Sequence, residues 1–527
     1  DHLDLHSFPT RRSSDLAGCN SSADKSIKEP GFSEFDLSEV TVNELQQKMG
    51  SGELTSQDIC RKYLNRIEEV DPFLNSVIEL NPDALQIAAQ LDEERSNGRI
   101  RGPLHGIPVM IKDNIDSGDR MKTTAGSLAL ENNVAAKDAF IVAKIREAGA
   151  ILLGKTNLSE WANFRARGSS SGWSGRGGQT RNPYCLDRNP SGSSSGSGAA
   201  VAASLCTIAI GTETNGSIVG PSGMNGVVGI KPTVGLWSRN GIIPIAQSQD
   251  TAGPMARTVT DAAILLGVLA AFDPNDADTY LEKGEIFNDY TQFLQTELKG
   301  MRIGVMSDLR GFHKDVMPLF NQAKEVFKAK GVEVVEEVIF ESRGKWGGPS
   351  WEVMLYEFKD GLNRYLAEHN TTVKTLEELI EFNKLHADKE MPWFGQEVFE
   401  MAQEKGDITS PEYLQARHDM RLYAGKEGID AVMEKYRLDA IIAPTNGPAF
   451  NIDLVNGDNS GGGSASPAAI SGYPAITLPM GTIHGLPVGI SIFGRAWSEP
   501  VLLKIAYAFE QATRHRIAPE FKTSLMA

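Results

Sequence analysis

The stretch that decides the fold is NPSGSSSGSGAAVAASLCTIAIGTETNGSIVGP, residues 189–221. Its first half has the composition of a flexible linker, but a linker would be polar on both sides. Here the serine-glycine run leads straight into GAAVAASL, which reads as a small-residue helix, and then into CTIAIGTE, a buried strand. The same order, helix, then glycine, then strand, recurs in AFIVAKIREAGAILLGKTN (139–157) and MPLFNQAKEVFKAKGVEVVEEVIF (317–340). GIPVMIKDNID (106–116), RIGVM (302–306), LDAIIAPT (438–445) and PAITLPM (474–480) read as further strands. Alternation over most of the chain predicts an α/β protein: one large mixed β-sheet covered by helices on both faces.

Local signals refine this outline. Thr41 with Glu44, and Thr55 with Asp58, have the spacing of capping boxes and predict two helix starts. Ile59, Tyr63 and Ile67 share one helical face, and Asp71-Pro72 is expected to end that helix. Residues 83–94 predict a third helix, with Pro82 near its first turn. Residues 341–406 break the alternation and predict an aromatic-rich helical region, either a layer with its own small core or a cap lining a substrate entrance.

The chain has 527 residues and a formal net charge of −16, with no long basic run, which argues against nucleic acid and anionic membrane surfaces as partners. Its four cysteines, Cys19, Cys60, Cys185 and Cys206, form no CxxC pair, so neither a zinc site nor a thioredoxin-like motif is indicated, and four cysteines in so long a chain do not make a disulfide scaffold.

Three segments follow from the composition. Residues 1–16 lack any helix or strand logic, and HSFPTRRSSDL (6–16) resembles the translation of a sequencing-adapter oligonucleotide, so this segment is set aside as non-native or disordered. Residues 17–35 contain LAGC followed by a polar run, which resembles a bacterial lipoprotein box and tether with Cys19 as the lipidated residue. That reading places the protein in the bacterial cell envelope; a cytoplasmic start is the alternative. Residues 36–527 are expected to form one domain that includes the 341–406 region.

Two residues stand out chemically. Ser217 falls in a tight turn after a buried strand, where successive backbone N–H groups can face a developing oxyanion. A serine nucleophile needs a base. No histidine lies in a nucleophile-elbow arrangement, and His105, beside GIPV, reads as structural. Lys112 interrupts an apolar run; it is either a base made neutral by burial or a lysine held by Asp113 and other nearby carboxylates. The residues alone leave both readings open.

Lys112 in GIPVMIKDNI, the run SGSSSGSGAAVAA, GTETNGSIVGPSGMNGVVGIKPTVG, DTAGPMARTVTDAA (250–263) and SGYPAITLPMG with GLPVGISIFGRAWSEPVLL together resemble the amidase signature family. GWSGRGGQTRNPYCLDRNPSGSSSGSG is similar to bacterial peptide amidases. The resemblance runs from about residue 40 to the C-terminus. It implies a Ser–cis-Ser–Lys triad, with Ser217 as nucleophile, Ser193 as bridge after a cis Gly192–Ser193 peptide, and Lys112 as base. It also implies an oxyanion hole from the N–H groups of Thr214, Asn215, Gly216 and Ser217. The sequence departs from many relatives at Asn215, where they have glycine, and at Glu213, where they have aspartate.

Trp161, Trp173 and Ser194 are candidate substrate contacts; Ser194 is expected either to hydrogen-bond within the site or to cap the helix that follows it. The expected function is hydrolysis of a small-molecule or peptide C-terminal amide through an acyl-serine, without metal or organic cofactor, by a monomer or homodimer touching a membrane only through an anchor at Cys19. The alternatives are the glutamine-hydrolysing subunit of a tRNA-dependent amidotransferase and a non-catalytic envelope binding protein on the same fold. The intact set of Lys112, Ser193 and Ser217 argues against the latter.

Overall fold

The computed structural model describes residues 30–280, 286–306 and 311–525; Cys19 and the whole of residues 1–16 lie outside them. The strands are β1 (Val77–Leu80), β2 (Pro108–Lys112), β3 (Ile151–Thr156), β4 (Trp173–Ser174), β5 (Gly178–Gln179), β6 (Ile208–Glu213), β7 (Val228–Lys231), β8 (Thr251–Ala256), β9 (Arg302–Met306), β10 (Glu333–Val338), β11 (Ala440–Pro444), β12 (Ala475–Ile483) and β13 (Leu486–Phe493). β4 and β5 form a small ribbon. The other eleven make one sheet in the order β1-β3-β2-β6-β8-β7-β12-β13-β11-β9-β10.

The sheet is mixed. β3, β2 and β6 run parallel, as do β11, β9 and β10, and antiparallel pairs join these groups. β2, β3, β6, β7 and β8 are buried along their whole length, as strands covered on both faces must be. Among the described residues no helix is long and apolar enough to cross a membrane.

Helix Ser195–Ala202 explains the composition of the opening stretch. All eight of its residues are buried. A Cβ on Gly196 would lie 2.3 Å from the Ser76 carbonyl oxygen and 2.5 Å from that of Asn157, so only glycine lets the helix approach so closely. Ser197 completes the contact through hydrogen bonds to Thr156 on β3 and to the Ile210 carbonyl on β6. The serines and glycines belong to a tightly packed interior segment.

Both capping boxes form. The expected stop at Pro72 is corrected: the helix spans Ser56–Leu74 and contains Pro72. A proline in the last turn removes only one N–H donor, and the Asn75 N–H still closes the helix on the Asp71 carbonyl at 2.7 Å. The third helix runs Ala84–Ser96 after an Asp83 N-cap.

Residues 341–406 form the helices Gly347–Glu368, Leu376–Leu385, Ala387–Glu390 and Glu397–Gln403. Leu355, Phe358, Leu362, Leu376 and Phe399 pack a second core there, which Trp161 and Phe164 join from the body of the domain. The long helix docks on the sheet through Asp116, just beyond β2. The Asp116 carboxylate accepts the Tyr365 hydroxyl at 2.8 Å and binds His369 Nε2 at 2.9 Å.

Candidate active site

The C-terminal ends of the neighbouring strands β2 and β6 bring Lys112 and the 214–217 turn together. Lys112 is fully buried. Its Nζ lies 2.8 Å from Ser193 Oγ, 2.9 Å from Thr212 Oγ1 and 3.3 Å from the Thr212 carbonyl oxygen. No carboxylate lies within ion-pair distance of it among the described residues, so Asp113 does not hold it. Burial in this setting pulls the Lys112 ammonium down to about 7, against the opposing pull of Asp250 and Glu213. The amine is therefore available in its neutral form near neutral pH.

Ser193 follows a cis Gly192–Ser193 peptide and is buried. Two backbone bonds fix its loop: Ser159 N–H donates to the Ser193 carbonyl at 3.1 Å, and Ser194 N–H donates to the Ser217 carbonyl at 3.1 Å. The second bond stitches the 193–194 peptide beside Ser217. Ser217 is half-buried, and its hydroxyl makes no hydrogen bond to another described residue.

Glu213 shapes the turn. Its carboxylate accepts the N–H groups of Gly216 at 2.8 Å, Ile218 at 2.7 Å and Val219 at 3.0 Å. Gly216 adopts φ 87°, a left-handed conformation that suits glycine. The expectation that Gly216 supplies an oxyanion donor is corrected: its N–H is already bound to Glu213. The N–H groups of Thr214, Asn215 and Ser217 carry no hydrogen bond to another described residue. Asp250 braces the other flank, accepting Thr214 Oγ1 at 2.5 Å and the N–H groups of Ile245 and Ala246. Burial pushes the Asp250 carboxyl up to about 6.

Two further expectations are corrected. Trp161 is 2% exposed and meets Phe399 edge-on in the second core. Trp173 is buried against Phe394 and the Arg165 guanidinium. Edge-on packing against other rings, and for Trp173 a guanidinium over its face, hold both indoles in the interior. Ser194 is buried and does not cap the following helix; of its two expected roles it takes the other, a hydrogen bond within the site, where its hydroxyl bonds both the carbonyl and the N–H of Thr212, the residue that also holds Lys112. His105 is held between the Leu91 carbonyl and the Arg101 N–H, with no candidate catalytic group among its partners.

Thr212, Asn114 and Asp250 were not legible as site residues. Asn114 Nδ2 donates to Thr212 Oγ1 at 3.1 Å, which extends the Lys112 network. Thr212 and Asn114 lie close in sequence to Ser217 and Lys112, but neither residue type announces a role.

The chain is similar to known amidases over most of its length. The amidase family model matches residues 58–503. The solved peptide amidase from Stenotrophomonas maltophilia is 50% identical, with a TM-score of 0.89, covering 93% of this chain and 100% of that one. A putative amidase from Schizosaccharomyces pombe is 39% identical over 93% of this chain and 88% of its own length. The glutamyl-tRNA(Gln) amidotransferase A subunit of Caldanaerobacter subterraneus is 35% identical over 92% of this chain and 99% of its own. The chain thus belongs to the amidase signature family of amidohydrolases, and it is an amidase.

Proposed function

We propose that the protein hydrolyses carboxamides through an acyl-serine intermediate, with Ser217 as nucleophile, Ser193 as proton bridge and Lys112 as base. The observation that carries this reading is the 2.8 Å contact between the buried Lys112 Nζ and Ser193 Oγ. Neutral Lys112 takes the Ser193 proton as Ser193 takes that of Ser217. Ser217 Oγ attacks the amide carbon, and the N–H groups of Thr214, Asn215 and Ser217 receive the negative charge on the carbonyl oxygen. The tetrahedral adduct collapses as the relay returns the proton to the leaving nitrogen. Water, activated by the same relay, then attacks the ester carbon. The acid leaves and Ser217 is restored.

The substrate class is small or peptide C-terminal amides. Support comes from the 50% identity to the Stenotrophomonas peptide amidase, against 35% to the amidotransferase chain. The test is a panel of primary and substituted amides that includes glutamine, with ammonia release measured for the wild type and Ser217→Ala. The wild type should release ammonia from peptide amides in preference to glutamine, and Ser217→Ala should release none. A fluorophosphonate should label the wild type at Ser217; labelling at another serine would overturn the assignment.

Lipid anchoring at Cys19 and an envelope location are proposals from the LAGC sequence alone. Mass spectrometry of the protein from its own cells should find Cys19 diacylglyceryl-modified at the mature N-terminus. An unmodified Cys19 preceded by native sequence would overturn the anchor.

A further inference from the structure

Helix Gly347–Glu368 is fastened to the catalytic elements at two places. Near its start, Ser350 Oγ donates to Gln249 Oε1 at 2.8 Å, and Gln249 Nε2 donates to the Thr214 carbonyl at 3.2 Å, so this end is tied to the turn before Ser217. At its far end the attachment runs through His369, the C-cap, to Asp116, four residues beyond Lys112. Between the two, Glu357, Gly361 and Tyr365 wall a cavity that reaches Thr212 and Thr214. The first fastening joins neutral groups, and the second can titrate.

Both ring nitrogens of His369 face acceptors. Nδ1 lies 2.7 Å from the Tyr365 carbonyl oxygen, and Nε2 lies 2.9 Å from Asp116 Oδ2. A carbonyl can only accept. Asp116 is committed as an acceptor too. Its Oδ1 takes the Tyr365 hydroxyl proton at 2.8 Å, while Asn133 Nδ2 donates to that same hydroxyl at 3.0 Å. A neutral imidazole has one N–H and one lone pair, so it satisfies only one of the two contacts. The geometry therefore fits an imidazolium with a proton on each nitrogen. The setting suits a cation: the ring stacks on Tyr365 at 3.8 Å between centroids, and it stands at a helix C-terminus, where the backbone dipole favours positive charge.

The surrounding charges act in the same sense. Asp116 is 2% exposed, and His369 is its one cationic partner within ion-pair distance among the described residues. Lys155 on β3 binds the Ile115 carbonyl and Thr123 Oγ1 instead, and acts on Asp116 only at longer range, as Asp113 acts on Tyr365. Lys374 Nζ donates to the His369 carbonyl at 2.6 Å. Burial by itself pulls the imidazolium down, but the bonds to Asp116 and Tyr365 and the charge of Glu368 outweigh it and hold the ring above its ordinary value. Loss of the ring proton leaves the Asp116 carboxylate buried without a counter-charge.

We propose that the His369–Asp116 pair is a pH-sensitive latch, which clamps the C-terminal end of helix Gly347–Glu368 while the imidazole is charged and releases it when the ring loses its proton. An unfolded histidine titrates at about 6.5. The latch thus contributes in full below that pH and is lost as the pH rises through the higher folded value. Rising pH favours both release of the helix end and the neutral form of Lys112. The latch goes beyond the hydrolytic reading and does not depend on it, so its test uses no turnover.

Hydrogen exchange of the full chain, read by mass spectrometry at about pH 6 and about pH 9 and corrected for intrinsic rates, measures the latch directly. Protection of residues 362–369 should fall about tenfold between the two in the wild type, the scale of one charge-assisted hydrogen bond. His369→Gln, which has a donor but no titrating charge, should show the low protection at both. Its side chain is 14% exposed, so the exchange leaves no buried void. An NMR titration of the wild-type His369 ring should give a value above that of a free histidine, in step with the fall in protection. Equal wild-type protection at both pH values would overturn the latch, as would a pH dependence that His369→Gln retains or a ring that titrates below the free value. An equal fall in helix Ser56–Leu74 would mark a global change and overturn it as well.

Discussion

Glu213 Oε1 accepts the N–H of Gly216 at 2.8 Å, one residue before the proposed nucleophile. With the bonds from Ile218 and Val219, one buried carboxylate grips the chain on both sides of Ser217. A carboxylate can accept all three donors, whereas a glutamine has one carbonyl oxygen and turns an NH₂ group toward the others. Glu213→Gln should therefore lower kcat by about 10²-fold, the scale of losing an oriented oxyanion donor, with a smaller change in KM. Steady-state kinetics on a peptide amide, beside a melting curve to confirm folding, would measure this. A KM effect with kcat unchanged would show that the brace serves binding alone.

Activity should follow the protonation of Lys112. Its ammonium is lowered to about 7 by burial, so the neutral amine is the major form only above that pH. kcat/KM should rise about tenfold per pH unit below 7 and level off above it. Lys112→Ala should lose most activity and this limb, whereas His105→Ala should keep the limb. A limb lost in His105→Ala and kept in Lys112→Ala would make histidine the base.

The same shift has a consequence for stability. The unfolded chain holds the Lys112 proton up to about 10.4, while the folded chain releases it near 7. Between these values the unfolded state binds more protons, so Lys112 makes stability rise with pH across that window. Lys231, lowered to about 8 by burial, acts with the same sign over a narrower range. Lys112→Met should flatten part of the rise in denaturant midpoint between pH 7 and 10. A profile identical to wild type would show that Lys112 does not titrate in this way.

Two glycines separate packing from propensity. Gly196→Ala places a Cβ 2.3 Å from the Ser76 carbonyl oxygen, backbone that cannot swing aside, and should cost about 3 kcal/mol or more. Gly50, inside helix Val42–Ser51 with nothing within 4 Å of an added methyl, should tolerate alanine and gain about 0.5–1 kcal/mol. Urea midpoints of the two variants should move in opposite directions.

Trp161→Ala tests core against cleft. With its ring in the second core, the substitution should cost about 3–5 kcal/mol of stability. The ratio of kcat/KM values across an amide panel should change little at a temperature where the variant stays folded. A large change in that ratio with stability intact would return Trp161 to the substrate site.

Much of this protein is local and so was legible in sequence. The Thr41–Glu44 and Thr55–Asp58 boxes are made within one helical turn, and the alternation of helix and strand follows from periods of 3.6 and 2. Lys112 stood out because a lysine inside an apolar strand is rare, and Ser217 because its turn follows a buried strand. The tertiary structure decided what depends on residues far apart in the chain. Strand order joins β7 to β12 across more than two hundred residues. Asp116 meets Tyr365 at a separation of 249, and Trp161 goes to the second core because Phe399 is there to receive it. The Gly216 N–H looked free until Glu213 folded back onto it. Composition and periodicity record which side chains leave water; which donor meets which acceptor is set only when distant segments pack.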